Sequence, residues 1–127
     1  MVRDEAYYRS ITENIIGCAY KVGSCLGTGF LEKVYENALC YEIGKSTFNV
    51  KQQHPINVIY ENVVVGEYFA DLLVQDDVIV ELKAVKTLDA SHFAQCMNYL
   101  KGTGKKVGLL INFGAPKVEI RRVVNSL

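Results

Sequence analysis

Two apolar stretches that are interrupted by charged side chains constrain this chain more than any other feature. Segment 67–75, EYFADLLVQ, is apolar around Asp71, and segment 78–85, VIVELKAV, is apolar around Glu81 and Lys83. Runs of this kind are typical of strands that are buried on both faces. A buried charge is costly unless it is paired or binds a metal, so three of them need a shared explanation. One cation that bridges the two carboxylates supplies it.

The connection between the two stretches, residues 75–77, provides a test of the register. Side chains alternate between the faces of a strand, so a two-residue turn would place Asp71 opposite Leu82 and leave Glu81 on the other face. A three-residue connection, or an equivalent bulge, pairs Asp71 with Glu81 and places Lys83 further along the same face. The metal-site hypothesis therefore predicts the odd-length connection.

Length and composition indicate one globular domain that spans residues 1–127. Half of the residues are hydrophobic, which excludes disorder. No apolar run reaches the roughly 18 residues that a membrane span needs. The N-terminal segment also lacks the apolar stretch of a secretory signal. We therefore expect a cytoplasmic protein with no membrane partner.

The net charge is zero, which argues against tight, sequence-independent binding of nucleic acid. The charges are nevertheless uneven, because residues 1–82 contain 6 Lys+Arg and 12 Asp+Glu, whereas residues 83–127 contain 8 and 2. Six of the eight basic residues in the second part form either a basic rim or ordinary solvated surface: Lys101, Lys105, Lys106, Lys117, Arg121 and Arg122. Charge alone does not decide between these alternatives.

The four cysteines, Cys18, Cys25, Cys40 and Cys96, form no C-x-x-C pair and lie in apolar surroundings. Zinc ligation and a disulfide framework are therefore disfavoured. We expect buried, reduced thiols.

Helical periodicity predicts two helices in the first third of the chain. The first runs from about Ser10, where residues 10–13 match a capping box, to Cys25. Gly27-Thr-Gly29 then breaks the helix, and a second helix covers Phe30 to about Ile43. Its predicted apolar side consists of Leu31, Val34, Ala38 and Tyr41.

The remainder of the chain predicts a mixed sheet. Strands over 50–60, 63–74 and 78–85 form an antiparallel meander, with a turn at Glu61-Asn62. A third helix, about Ala90 to Lys101, precedes a central strand over 106–113, and segment 118–124 is either a last strand or a helical turn. The core stripe of the third helix consists of Phe93, Met97 and Leu100. The order ααβββαβ indicates an α/β domain with a mixed sheet flanked by helices.

This order of elements, with Asp71 on the second strand and Glu81-x-Lys83 on the third, resembles the PD-(D/E)xK nuclease superfamily. More closely, Gly29-Phe-Leu-Glu32-Lys-Val-Tyr35 is similar to the signature of the GxxExxY family, which is assigned to that superfamily. The resemblance extends from about Ile11 to Val124, with Ala70 in the place where the superfamily name expects proline. It implies a restriction-endonuclease-like fold and a metal-dependent nuclease site.

The resemblance also implies a set of site residues. Asp71 and Glu81 would supply oxygen ligands to Mg²⁺ or Mn²⁺, which polarises the scissile phosphate and helps to generate hydroxide. Lys83 would orient the water and stabilise the developing negative charge. Glu32 would be a further metal-site residue or a partner of Lys83, and Gln95 would hold the water, Lys83 or a phosphate.

Four neighbouring polar residues remain open or unassigned. Glu36 is either a surface residue or a second acid near the site, and Tyr35 either forms a hydrogen bond there or fills the core. His92 has no cysteine or second histidine at metal-binding spacing, and His54 lies beside Pro55 at a strand start, so we expect both to be structural or exposed. The Gly27-x-Gly29 segment lacks the features of a phosphate-binding loop and is interpreted as a helix break.

The sequence thus favours a metal-dependent nuclease that hydrolyses nucleic-acid phosphodiester bonds, with DNA as the favoured substrate. The alternative is a nuclease-fold module that binds nucleic acid or protein with little turnover, which the neutral net charge motivates. The sequence leaves open the choice between DNA and RNA, and whether two copies pair as a homodimer.

Overall fold

The computed structural model describes residues 2–126, which form three helices and five strands. The helices are α1 (Glu5–Leu26), α2 (Glu32–Gly44) and α3 (Ala90–Thr103). The strands are β1 (Val50–Tyr60), β2 (Val63–Val74), β3 (Val78–Lys83), β4 (Val107–Asn112) and β5 (Glu119–Val124). The undecided segment at 118–124 is therefore a strand, and the order becomes ααβββαββ.

All five strands belong to one mixed sheet in the order β1-β2-β3-β4-β5. The first three strands form the predicted antiparallel meander, β4 lies parallel to β3, and β5 returns antiparallel to β4. A parallel pair requires a crossover, and α3 provides it.

The two faces of the sheet carry separate apolar clusters. On one face, α1 and α2 pack over alternate residues of β3 and β4, among them Val80, Leu82 and Leu109. On the other face, α3 packs over Ile79 and Leu73. Because β3 alternates in this way, Glu81 and Lys83 share the α3 face with Ile79.

Helix α1 begins at Glu5, so the predicted capping box at Ser10 is wrong. The N-cap is Asp4, whose carboxylate accepts a hydrogen bond from the Tyr7 backbone N–H at 2.9 Å. Ser10 lies inside the helix, where its hydroxyl donates to the Tyr7 carbonyl. The earlier start is favoured because Tyr8 in the added turn is buried.

The buried side of α2 differs from the predicted one. Tyr35, Glu36, Leu39 and Ile43 are buried, whereas three of the four residues expected in the core are exposed: Leu31, Val34 and Tyr41. Spacings of three and four residues allow two adjacent stripes on one helix, and the tertiary packing selects between them.

The cysteines and the basic residues also depart in part from expectation. All four thiols are free, but only Cys96 is fully buried and Cys25 is exposed. The proposed basic rim is dispersed: Lys101, Lys105 and Lys117 line three different concavities, and Arg122 pairs with Glu5 at 2.6 Å. No helix within residues 2–126 is long and apolar enough to cross a membrane.

Gly114, in the loop after β4, lies directly against the chain where it leaves β3. A Cβ at this position would overlap the backbone N and O atoms of Val85, and backbone atoms cannot rotate away as a side chain can. We expect Gly114→Ala to lower the free energy of unfolding by about 2–3 kcal/mol, measured by thermal or urea unfolding. Gly44→Ala is the control, because a Cβ there would meet no atom within 4 Å. Equal melting temperatures for the two variants would contradict the close packing at Gly114.

Candidate active site

The sheet opens at Asp71, where β2 separates from β3. Strand β2 pairs with β1 over its whole length from Val63 to Val74, but with β3 only from Leu72 to Val74. The first part of β2 therefore projects beyond the sheet with β1 as its neighbour. Asp71 and Glu81 lie beside each other at the point where the two strands separate, and we call this opening the cleft.

The connection between β2 and β3 has the predicted odd length. Leu72 pairs with Val80 and Val74 with Val78, which leaves three residues, 75–77, outside the ladder. Gln75 and Asp76 adopt left-handed backbone conformations, with φ of 55° and 57°. The third residue, Asp77, is buried and accepts hydrogen bonds from Arg3 Nε at 3.0 Å and from the Tyr7 hydroxyl. The register that this connection fixes places Asp71 beside Glu81.

The regular alternation of β2 breaks at Asp71. Ala70 packs in the apolar cluster under α3, whereas Leu72, two residues later, packs in the cluster under α1 and α2. Residues two apart on a regular strand share a face, so the chain twists between them. Opposite Asp71, the ladder also skips Gln53, which has a φ of 55°. Such irregularities turn a side chain in a new direction and often lie next to active sites.

Side-chain hydrogen bonds replace the missing strand pairing at this point. The Asp71 backbone N–H donates to Glu81 Oε1 at 3.2 Å, and Asp71 Oδ2 accepts from the Leu82 N–H at 2.7 Å. Asp71 Oδ1 lies 3.4 Å from Gln53 Nε2. The two carboxyl groups are therefore fixed on adjacent strands, each bound to the backbone of the other strand.

Both carboxyl groups hold their protons more strongly than carboxyl groups in water. Burial raises the pKa of Asp71 to about 6, against the hydrogen bond from Leu82, and the negative charges of Glu36 and Glu32 add to the rise. Burial raises the pKa of Glu81 to about 8, with a further contribution from the charge of Asp71. Desolvation and like charge both oppose ionisation, and a bound cation would relieve both.

Lys83 extends the cluster toward α3. Its ammonium donates to Gln95 Oε1 at 2.9 Å, and the Gln95 amide group donates in turn to the Tyr99 hydroxyl at 3.3 Å. The two residues predicted on separate elements are thus in direct contact. Because Gln95 occupies one of the three hydrogens of the ammonium group, it also restricts its direction.

The acids of α2 occupy roles that differ from the prediction. Glu32 is exposed at the start of α2, yet near enough that its charge contributes to the raised pKa values of Asp71 and Glu81. Glu36, which the sequence left open as a surface residue, is buried. It accepts from Lys33 at 2.7 Å and from Gln53 at 2.8 Å, and Gln53 is also the neighbour of Asp71. In the sequence, the i, i+4 spacing of Glu32 and Glu36 was the available sign of two acids near the site. That spacing does not indicate whether Glu36 is buried.

Within residues 2–126, no three His, Cys, Asp or Glu side chains are arranged closely enough to hold a metal ion. The three-carboxylate set of Asp71, Glu81 and Glu32 is therefore not assembled in this conformation. Asp71 and Glu81 nevertheless fit a divalent cation chemically, because they are adjacent, shielded carboxyl groups and magnesium prefers oxygen ligands. Magnesium usually retains several waters, so two protein carboxylates suffice for its binding.

Tyr35, the last residue of the Gly29-Glu32-Tyr35 motif, has a structural role. Its hydroxyl donates to the Gly27 carbonyl at 2.6 Å and accepts from the Phe30 N–H at 3.3 Å, and its ring stacks on Phe113 at 4.8 Å. Tyr35 is fully buried and has no hydrogen bond to the acids. It therefore fixes the loop that leads into α2, at whose start Glu32 lies.

The remaining polar candidates have structural roles. His92 Nδ1 accepts from the Asp89 N–H at 3.0 Å and completes the N-terminal capping box of α3. His54 lies half-buried in β1. Gly27 ends α1 with a φ of 68°, which agrees with the predicted helix break.

Comparison with known proteins identifies a family for this chain and solved structures with a similar fold. The sequence model of the PD-(D/E)XK nuclease superfamily matches residues 9–123. Among solved structures, the crystal structure of an alkaline exonuclease from Laribacter hongkongensis is similar, with a TM-score of 0.55 and 12% identity over 99% of this chain and 73% of that chain. The crystal structure of SSO0001 is similar with a TM-score of 0.58 and 17% identity, over 96% of this chain and 61% of that one.

At these identities the structural likeness concerns the fold, and it confirms the expected nuclease-type α/β architecture. A sequence search of curated proteins found no match. The family match extends over most of the chain and includes β1 to β4, all but the last residue of β5, and Asp71, Glu81 and Lys83. The chain therefore belongs to the PD-(D/E)XK nuclease superfamily.

Proposed function

We propose that this chain is a metal-dependent nuclease that hydrolyses phosphodiester bonds in the cleft at Asp71. The observation that carries the proposal is the adjacency of the shielded Asp71 and Glu81 carboxyl groups, next to the paired Lys83 and Gln95. An acid pair of this kind opposes its own ionisation, which costs stability unless a cation is bound. Superfamily members generally use divalent metal ions.

Each site residue has a distinct role in the proposed reaction. Hydrolysis joins a water oxygen to phosphorus and breaks the bond to the leaving sugar oxygen, which takes up a proton. A bound divalent cation supplies Lewis-acid polarisation of the phosphate and lowers the pKa of water. Asp71 and Glu81 would hold the cation, and the Lys83 ammonium would donate hydrogen bonds to the phosphate oxygens as negative charge develops.

Gln95 and the α2 acids act around this centre. Gln95 keeps the Lys83 ammonium directed into the cleft through their 2.9 Å hydrogen bond. Glu32 adds negative charge near the cleft and would approach a bound cation through water or by a shift of its exposed side chain. In this proposal Glu32 completes the metal site only in the loaded protein.

The finer identity of the protein is part of the same proposal. The motif Gly29-x-x-Glu32-x-x-Tyr35 supports membership of the GxxExxY family. Residues 1–127 would act as one nuclease-like domain. We propose Mg²⁺ or Mn²⁺ as the ion and DNA as the substrate. One structural neighbour is an alkaline exonuclease, which supports a nucleic-acid substrate.

The second candidate is a binding module of the same fold with little turnover. The net charge of zero and the dispersed basic residues favour it, because a protein that tracks duplex DNA usually presents a row of Lys and Arg. The two candidates differ in turnover, so a cleavage assay separates them.

The test is a cleavage assay with single-stranded, linear duplex, circular duplex and RNA substrates, in Mg²⁺ or Mn²⁺. We expect cleavage of at least one DNA substrate, complete loss in excess EDTA, and recovery when metal is restored in excess. Asp71→Asn should lose both cleavage and metal binding by calorimetry, because the amide removes one anionic ligand. Asp76→Asn is the matched control, since Asp76 is exposed in the connection after β2. Metal binding without cleavage of any substrate would favour the binding module.

A further inference from the structure

A groove of about 880 Å³ lies between α3 and the projecting part of the β1–β2 hairpin. We call this projection, residues 57–69, the arm. The arm contributes Val58, Val65 and Tyr68 to the groove, and α3 contributes Gln95, Asn98 and Tyr99. None of the roles assigned above requires a cavity of this size, so it needs its own explanation.

The groove adjoins the candidate site through Gln95. Gln95 lines the groove and also accepts the hydrogen bond from Lys83, while its amide group donates to the Tyr99 hydroxyl deeper in the groove. A molecule that fills the groove would therefore touch the residue that directs Lys83. The groove is placed to hold the part of the substrate next to the reacting phosphodiester.

The chemistry of the lining favours bases over phosphates. Tyr68 and Tyr99 lie with ring centroids 5.8 Å apart, and the Tyr68 side chain is about half exposed, at 49%. Side-chain amides of Asn57 and Asn98 lie on the two walls. Among the described residues that line the groove, Lys101 alone is charged. A phosphate backbone needs cationic partners, whereas bases bind to aromatic faces and amides.

We propose that this groove binds unpaired bases of a single-stranded segment adjacent to the scissile phosphodiester, with one base stacked on Tyr68. In a duplex the faces of the bases are covered by their neighbours, so only an unpaired segment can present them to an aromatic ring. This inference rests on the proposed nuclease function and specifies its substrate. It assigns selectivity for single strands to the groove, while hydrolysis remains with the acids and Lys83.

Fluorescence anisotropy with a labelled thymidine oligonucleotide, in EDTA so that no cleavage occurs, tests the groove. We expect Tyr68→Ala to weaken binding of the single strand about tenfold, because stacking on one aromatic ring is lost. Tyr68→Phe should bind within about twofold of the wild type, since it keeps the ring. Tyr41→Ala is the control, because Tyr41 is also an exposed tyrosine but lies on α2, outside the groove. Binding of a blunt duplex should be the same for all four proteins.

Several results would overturn the proposal. They are undetectable binding of the single strand by the wild type, equal binding by Tyr68→Ala, or an equal loss of duplex binding. A concentration-dependent dimer that Tyr68→Ala dissociates would also overturn it, because a second copy would then occupy the groove. Circular dichroism of each variant verifies folding. If Tyr68→Ala unfolds, Tyr68→Phe and Tyr68→Leu replace it in the comparison. Binding that Tyr68→Phe retains and Tyr68→Leu loses would show that the aromatic ring is required.

The outcome is separable from that of the nuclease proposal. Metal-dependent cleavage with no effect of Tyr68→Ala on single-strand binding would remove the groove proposal alone. Ring-dependent binding of single strands without cleavage would support the groove and remove the catalytic proposal.

Discussion

Replacing Lys83 by alanine should reduce the rate of cleavage by about 10²–10³-fold while leaving metal affinity within about threefold of the wild type. The Lys83 ammonium donates to Gln95 Oε1 at 2.9 Å, and in the proposed mechanism this contact directs it toward the two acids. Its loss removes a donor to the developing negative charge on the phosphate but removes no metal ligand. Cleavage rates and calorimetric metal titrations on the same preparations measure the two quantities.

Lys86→Ala is the matched control for this experiment. Lys86 is exposed, three residues further along the chain, and its replacement removes the same charge from the protein. A decrease of similar size in both variants would mean that general attraction of the nucleic acid, rather than a donor at the reacting phosphate, is lost. Unchanged cleavage in Lys83→Ala would remove Lys83 from the mechanism.

Replacing Glu81 by glutamine should raise the free energy of unfolding of the metal-free protein by about 2–4 kcal/mol near pH 8. The melting temperature should rise by several degrees as a result. The pKa of Glu81 is raised by burial to about 8 in the folded protein, from an ordinary value of 4.5. Between these two values the folded state binds more protons than the unfolded state, so the stability of the wild type falls as the pH rises. Glutamine is uncharged and similar in shape, and its oxygen can still accept the hydrogen bond from the Asp71 N–H.

The stabilisation should depend on pH and disappear when metal is present. The difference in free energy of unfolding between variant and wild type should be near zero at about pH 4 and grow until about pH 8. Added Mn²⁺ should stabilise the wild type but not Glu81→Gln, because a ligand that binds only the folded state raises its stability. Glu67→Gln, at an exposed position of β2, is the control and should be neutral. A constant difference across the pH range would show that ionisation of Glu81 is not its cause.

Much of the sheet and the core of the site could be predicted from the sequence. The alternation of β1, the turn residues Glu61-Asn62 and the apolar run of β2 fixed the strand bounds, because turn chemistry and periodicity act locally. The metal-site hypothesis predicted an odd-length connection over 75–77, and the structure has one, which places Asp71 beside Glu81. Charged residues within an apolar run are a strong signal because burial makes them expensive.

Other features depend on contacts that the sequence does not specify. The buried stripe of α2, with Tyr35 and Leu39, could not be distinguished from the adjacent one until the helix was docked on the sheet. Burial of Glu36 depends on Gln52 and Gln53, which lie in a different element and hold its carboxylate. The groove beside α3 was not predicted, because it arises where β2 separates from β3.

That separation has a mechanical consequence. Tyr68 and Asp71 lie three positions apart on β2; in the proposals above, Tyr68 would hold a base and Asp71 the metal. Asp71 is also the residue at which β2 separates from β3. Among the described strands, β1 alone pairs with this part of β2, and on its other side the arm faces α3 through Tyr68 and Tyr99. A bend of the arm at this point would rotate the backbone of Asp71. In the proposed mechanism, filling of the groove would thereby be coupled through the covalent chain to the position of the Asp71 carboxylate.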